Sequence, residues 1–178
     1  MPQKLTTRFR YAKPNDANTI AQIFAASWHN AYCGIIPYKT LNTIIRRRDA
    51  SWWKKSISRG TNLIVMTFDA KVVGYAGIGL ARGTLPKSDR QKIGEITELY
   101  IEPDYQGVGL GKELFKASWG ELRKRGMSEL HVWALVENQK AIDFYCALGG
   151  QEVTTAYNQF DNERLKKIAF KWTARDQH

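Results

Sequence analysis

The stretch from Glu95 to Gly126, EITELYIEPDYQGVGLGKELFKASWGELRKRG, constrains this chain more than any other. Ile96 to Ile101 alternates and carries branched or aromatic side chains, the pattern of a strand. Glu102-Pro103-Asp104 ends it, because proline has no N–H to give a ladder. Gln106-Gly107-Val108-Gly109-Leu110-Gly111 places three glycines within five residues, where backbone can approach a ligand without Cβ atoms in the way. Leu114, Phe115, Ser118, Trp119 and Leu122 then recur at helical spacing, and Gly126 follows the basic Arg123-Lys124-Arg125 as a helix stop.

A strand, a glycine turn and a helix opening at that turn form an anion site. The first helical N–H groups have no internal acceptor, and the aligned peptide dipoles put partial positive charge there. A diphosphate is the natural occupant, with Gln106 and Lys112 as side-chain donors. GxxxxGK[ST] does not fit, since Gln106 stands where its first glycine belongs and Glu113 follows Lys112. GxGxxG does not fit either, because the glycines run GxGxG.

The pattern that fits is Gln-x-x-Gly-x-Gly, from Gln106 to Gly111. With Asn138-x-x-Ala141-x-x-Phe144-Tyr145-x-x-x-Gly149 downstream, the chain resembles the GNAT superfamily of acetyl-CoA-dependent N-acetyltransferases. The likeness runs from about Thr7 to Trp172 and is most specific between Glu95 and Gly149. It implies one mixed α/β domain over 1–178, with a core of about 7–172. The expected architecture is a mostly antiparallel twisted sheet, helices on both faces and a splayed central strand pair. One departure is Gly150, where an aromatic residue is commonest in the family.

The resemblance also assigns residues. The turn from Gln106 through Gly107, Val108, Gly109, Leu110 and Gly111 to Lys112 would hold the coenzyme A pyrophosphate. Main-chain groups of Leu99, Tyr100 and Ile101 would receive the pantetheine arm and polarise the thioester carbonyl, and Asn138 would contact the same arm. The Tyr145 hydroxyl would lie near the thioester sulfur, as a proton donor to the departing thiolate. An amine acceptor is mostly ammonium at neutral pH, so a base or a water relay is required. The carboxylates at hand are Glu98, the first choice as base because it shares a face with Tyr100, and Glu95; an unbroken strand puts them on opposite faces, and a bulge between them reverses that. Trp28-x-x-x-Tyr32-x-Gly34-x-x-Pro37 is similar to a segment bordering the acceptor site in one branch of the family, and core packing explains Trp28 and Tyr32 equally well. Trp133 stands where some protein-N-terminus acetyltransferases carry glutamate, which weakens a match to those enzymes.

The remaining chain supplies the frame. Thr7 to Ala12 reads as a strand, and Asn15 or Asp16 as a cap for a helix carrying Ala17, Ile20, Ile23, Phe24 and Trp28. Leu41 to Ser58 reads as one helix whose basic face, Arg46-Arg47-Arg48 with Lys54 and Lys55, is its wet side. Leu63–Phe68 and Lys71–Leu80 form a hairpin about Asp69-Ala70, with Gly74, Gly77 and Gly79 marking bulges or close approaches. Arg82 to Lys92 reads as a loop that contributes to the acceptor site. Glu129–Leu135 is a strand with His131 and Trp133 on one side, and Asn138 caps the helix after it. Gln151–Phe160 and Arg164–Trp172 make a last hairpin.

Composition narrows the function classes. A 43% hydrophobic and 25% charged chain is that of a soluble globular domain, and no apolar run is long enough to span a membrane. The N-terminus lacks an apolar signal core, and two distant cysteines fit a reducing cytoplasm, the expected location. No Cys/His cluster suggests a metal. The net charge of +10 admits nucleic-acid binding, but no recognised signature accompanies it. The acceptor is first read as a small amine or polyamine, then as a protein lysine or N-terminal amine; a non-catalytic acyl-CoA sensor is the reading from another class. A homodimer is a candidate assembly, since dimers are frequent in the family.

Overall fold

The computed structural model describes residues 6–82 and 92–174. Seven strands form one sheet: β1 (Thr7–Tyr11), β2 (Leu63–Phe68), β3 (Lys71–Leu80), β4 (Ile93–Ile101), β5 (Glu129–Leu135), β6 (Gln151–Phe160) and β7 (Glu163–Thr173). Their order is β1-β2-β3-β4-β5-β7-β6. Every neighbouring pair is antiparallel except β4 and β5. That parallel pair meets only from Ile93↔Glu129 to Ile96↔Val132, and beyond it the strands part. The sheet is therefore continuous at one end and open at the other, in the middle.

Helices cover both faces. On one lie α1 (Ala17–Tyr32), α2 (Tyr38–Arg47) and α3 (Ala50–Ser58); on the other lie α4 (Leu110–Lys124) and α5 (Gln139–Ala147). Phe24, Ile20 and Ile23 of α1 pack with Trp53, Val65 and Tyr75. Leu114, Phe115, Trp119 and Leu122 of α4 pack with Ile96, Leu130, Val132 and Phe170. The helical periodicity thus decides which side of each helix is dry.

The segment expected as one helix from Leu41 to Ser58 is two. Arg48 leaves helical geometry at φ −106° and ψ 48°, and the extended Asp49 caps α3 by accepting from the Trp52 N–H at 2.8 Å. Asp16 does not cap α1 through its side chain. Its carboxylate instead takes the Lys13 N–H and the Arg10 guanidinium, both at 2.7 Å, which holds Asp16 below the usual carboxylate range. Asp69 and Ala70 both adopt positive φ at the β2–β3 turn, as a tight hairpin requires. Residues 83–91 of the expected loop lie outside the described residues.

Candidate active site

A register shift in β4 builds the site. Gly77 pairs with Glu98 and Ile78 with Ile96, so Thr97 is an extra, bulged residue. Gly77 makes room for it: a Cβ there would meet Thr97 Oγ1 at 2.6 Å. The bulge resets the alternation of side chains. Ile96 and Leu99, three residues apart, both join the core under α4, whereas Glu98 and Tyr100 face α1 and α3. Glu95, one residue before Ile96, therefore shares a face with Glu98.

Past Ile96 the cleft-side backbone of β4 has no strand partner among the described residues. The Glu102 N–H donates to Val73 on β3 at 2.8 Å, so alternation turns the Leu99 and Ile101 N–H groups toward the opening. The Ile101 carbonyl faces there too and accepts the Gln106 side-chain amide at 2.9 Å. Gln106 thus braces the glycine turn against the end of β4.

Gly107 and Gly109 have φ of +80° and +88°, and no atom lies within 4 Å of where a Cβ would stand on either. The Glu113 N–H makes its helical bond to Gly109 at 3.2 Å, so those of Leu110, Gly111 and Lys112 precede any intrahelical acceptor. They are free to meet an anion. Gly111 serves packing as well, because a Cβ there would lie 3.3 Å from the Phe144 ring.

A cavity of about 770 Å³ fills the opening between β4 and β5 and is lined from both faces of the sheet. Gln106, Gly107, Gly109, Gly111, Lys112 and Tyr145 reach it from the α4–α5 side. Trp28, Tyr32, Glu95, Glu98 and Trp133 reach it from the α1 side, with Leu99, Tyr100, Ile101 and Asn138 between. Two expected residues do not bring side chains to it. Val108 is 73% exposed and Leu110 is in the core, so only their backbone can serve.

Three phenols converge where the faces meet. Tyr145 is buried among Phe115, Phe144, Phe170 and Trp172, and burial first, then the Tyr32 phenol, raises its pKa. Tyr100 is raised well above the phenol range by burial, then by Tyr32 and Glu98. Tyr32 lies beside Tyr100 and Asn138, its own pKa raised by burial. Asn138 caps α5 through its side-chain oxygen, which accepts from the Ala141 N–H at 3.2 Å, so its NH₂ stays available to the cavity. Trp28 packs between Phe24, whose ring is tilted to it at 5.0 Å, and Tyr32, edge-on at 4.9 Å, and lines the cavity as well.

Arg48 was placed by its sequence on a wet helix face, and the structure puts it inside. Its guanidinium lies 4.4, 4.6 and 4.3 Å from the rings of Phe24, Trp52 and Trp53 and pairs with Glu98. The other Glu98 oxygen accepts from the Tyr75 hydroxyl at 3.0 Å. Only the break between α2 and α3 lets Arg48 turn inward, and nothing in an Arg-Arg-Arg run announces it. Glu95 is less engaged, one oxygen accepting from the Arg82 N–H at 2.9 Å. A second residue missed in the sequence is Lys167 on β7, which lines the cavity with its ammonium 4.7 Å from the Trp133 ring.

The arrangement offers an anion cradle, an open strand edge, a buried phenol and a carboxylate within one cavity. A family model described as Acetyltransferase (GNAT) family matches residues 19–149. The chain belongs to the GNAT acetyltransferase family. It is an N-acetyltransferase whose acetyl donor is acetyl-CoA. It is similar to the uncharacterized N-acetyltransferase YuaI of Bacillus subtilis, 28% identical over 92% of this chain and 91% of that one. A match to the thialysine N-epsilon-acetyltransferase of Bos taurus is 31% identical but covers 43% of this chain and 47% of the relative. Among solved structures, the PaiA N-acetyltransferase of Thermoplasma acidophilum in complex with coenzyme A superposes with a TM-score of 0.70, covering 94% of this chain and 99% of that one. An N-acetyltransferase of Staphylococcus aureus Mu50 gives 0.71 over 94% and 98%. At 18% and 20% identity, these two speak for the fold.

The residues present fit acetyl-CoA: unbonded N–H groups and Lys112 stand where a diphosphate needs donors, and β4 offers an unpaired edge to an extended arm. Gly150, the departure from the family pattern, also has its reason. A Cβ there would meet the Trp172 ring at 2.6 Å, and the Trp172 N–H donates to Leu148 at 2.9 Å. Trp172 occupies the space beside position 150 itself. No helix among the described residues is long and apolar enough to cross a membrane.

Proposed function

We propose that this GNAT enzyme acetylates the primary amine of a small molecule by direct attack within the β4–β5 cavity. The observation that carries the reading is that cavity, open to both faces of the sheet through the strand splay. Acetyl-CoA supplies an acetyl group activated as a thioester. The N–H groups from Leu110 to Lys112, with Lys112 itself, bind and orient the diphosphate. The Leu99 and Ile101 N–H groups donate at the strand edge, and the Tyr145 O–H, held protonated by burial, is the proton donor at the sulfur end.

On the α1 face, Glu95 takes the proton from the acceptor ammonium, directly or through water. It is preferred to Glu98 because both Glu98 oxygens are engaged, by Arg48 and Tyr75. Glu98 then shapes the pocket through its pair with Arg48 and the hydroxyl of Tyr75. The small acceptor agrees with the name of the bovine relative, which specifies the ε-nitrogen of thialysine.

The test is a panel of amines and peptides with acetyl-CoA, scored by free-thiol release, on wild type and Glu95→Gln. A small primary amine is the expected acceptor. Glu95→Gln is expected to lose about 10²-fold or more at neutral pH and to recover part of it as pH rises, when more amine arrives deprotonated. A mutant-to-wild-type ratio that stays flat across pH assigns the base elsewhere.

A further inference from the structure

The charges that face the acceptor half of the cavity do not all remain available. Glu98 is neutralised by Arg48, whose guanidinium is enclosed by Phe24, Trp52 and Trp53. Lys112 and Lys140 belong to the side of the glycine turn and α5. Two unbalanced charges remain on the α1 face: the Glu95 carboxylate and the Lys167 ammonium. Lys167 is half-buried, rests on the Trp133 ring and has no carboxylate partner among the described residues. A cation held over an indole is fixed in direction but keeps its three N–H donors for another ligand. Asn158, on the neighbouring strand, lines the same end of the cavity and adds an amide.

The sheet register gives the spacing. Glu95 is level with His131 on β5, and Lys167 is level with Leu135, four residues further along that strand and one strand beyond it. At ordinary strand rise and spacing, their Cα atoms are roughly 16 Å apart. The two side chains shorten this to a gap that a molecule with several carbons between its charged ends can bridge.

We infer that the acceptor carries a carboxylate as well as the primary amine, the amine bound at Glu95 and the carboxylate at Lys167. This deepens the small-amine reading and rests on it. A diamine or polyamine would put a second ammonium against Lys167, where like charges repel. An amino acid with a side-chain amine would satisfy both ends.

Matched pairs test this without other variables: L-lysine against cadaverine and L-ornithine against putrescine, each pair differing by the carboxylate. Wild type is expected to favour the amino acid in each pair by about 10–100-fold in kcat/KM, as one charge-assisted contact allows. Lys167→Met should collapse that ratio and Lys167→Glu should invert it, while acetyl-CoA binding shows that both variants are folded. Equal or better turnover of the diamines, or ratios untouched by either variant, would overturn the carboxylate site and leave small-amine acetylation standing. Acetylation of peptide amines but of none of the four compounds would overturn both.

Discussion

Replacing Tyr145 by phenylalanine removes a hydroxyl that burial among Phe115, Phe170 and Trp172 keeps protonated, and leaves the ring packing in place. Turnover is expected to fall by about 10²–10⁴-fold with acetyl-CoA affinity little changed, as stopped-turnover and calorimetric measurements would read. The Arg48–Glu98 pair works differently, through stability. Its side chains are 20% and 16% exposed, so each charge depends on the other more than on water. Arg48→Met should destabilise by roughly 2–4 kcal/mol, and Arg48→Met with Glu98→Gln by less than the two single changes together. Denaturant melts of the four proteins measure the coupling. Additive losses would mean that Arg48 matters only as a stem packed on Trp52 and Trp53.

At the scale of elements, the glycine turn and α4 can be separated from the packing of α4 on α5. Gly109 stands at φ +88° with clear space around its missing side chain, whereas Gly111 abuts Phe144. Gly109→Asp therefore puts a negative charge beside the free N–H groups of α4 without a steric clash, although it must hold an L residue at positive φ. It should weaken acetyl-CoA binding at least about tenfold by calorimetry. Gly111→Asp should lower the melting temperature as well, because Phe144 must move. Wild-type affinity in a folded Gly109→Asp protein would remove the diphosphate from this turn. The bulge in β4 acts at the same scale: one extra residue at Thr97 brings Glu95 onto the face of Glu98 and Tyr100.

For the molecule as a whole, the two helix layers bury phenols from opposite sides of the sheet, and this sets its alkaline limit. Tyr75, Tyr100 and Tyr145 all have pKa values raised above 10.0, burial being the first cause for each. Above that pH the unfolded chain has released phenolic protons that the folded protein still holds, so stability falls as pH rises. Below it the three phenols are neutral in both states and contribute no slope. Thermal melts from about pH 8 to about pH 11 should show a steep loss near the top of that range, shallower in Tyr145→Phe. Equal slopes in the two proteins would mean that the Tyr145 phenol ionises as freely folded as unfolded.

The local chemistry was legible in the chain wherever it is written by neighbours. The strand ending before Pro103, the turn at Gly107 and Gly109, the cap at Asn138 and the stop at Gly126 each depend on a few adjacent residues, and the structure has a strand end, a turn, a cap and a stop at those places. The β2–β3 hairpin and β5 were bounded to the residue for the same reason. What depends on distant partners was not legible. Arg48 reads as a solvated charge until the α2–α3 break turns it among Phe24, Trp52 and Trp53, and Glu95 changes face only because β4 bulges against β3. Lys167 is one of several lysines in β7 until the sheet order sets it beside Trp133 at the mouth of the splay. Short-range rules therefore determined the glycine turn and the free N–H groups that open α4. The α1 side of the cavity is assembled by strand register and helix packing across more than a hundred residues of chain, and tertiary structure alone decided it.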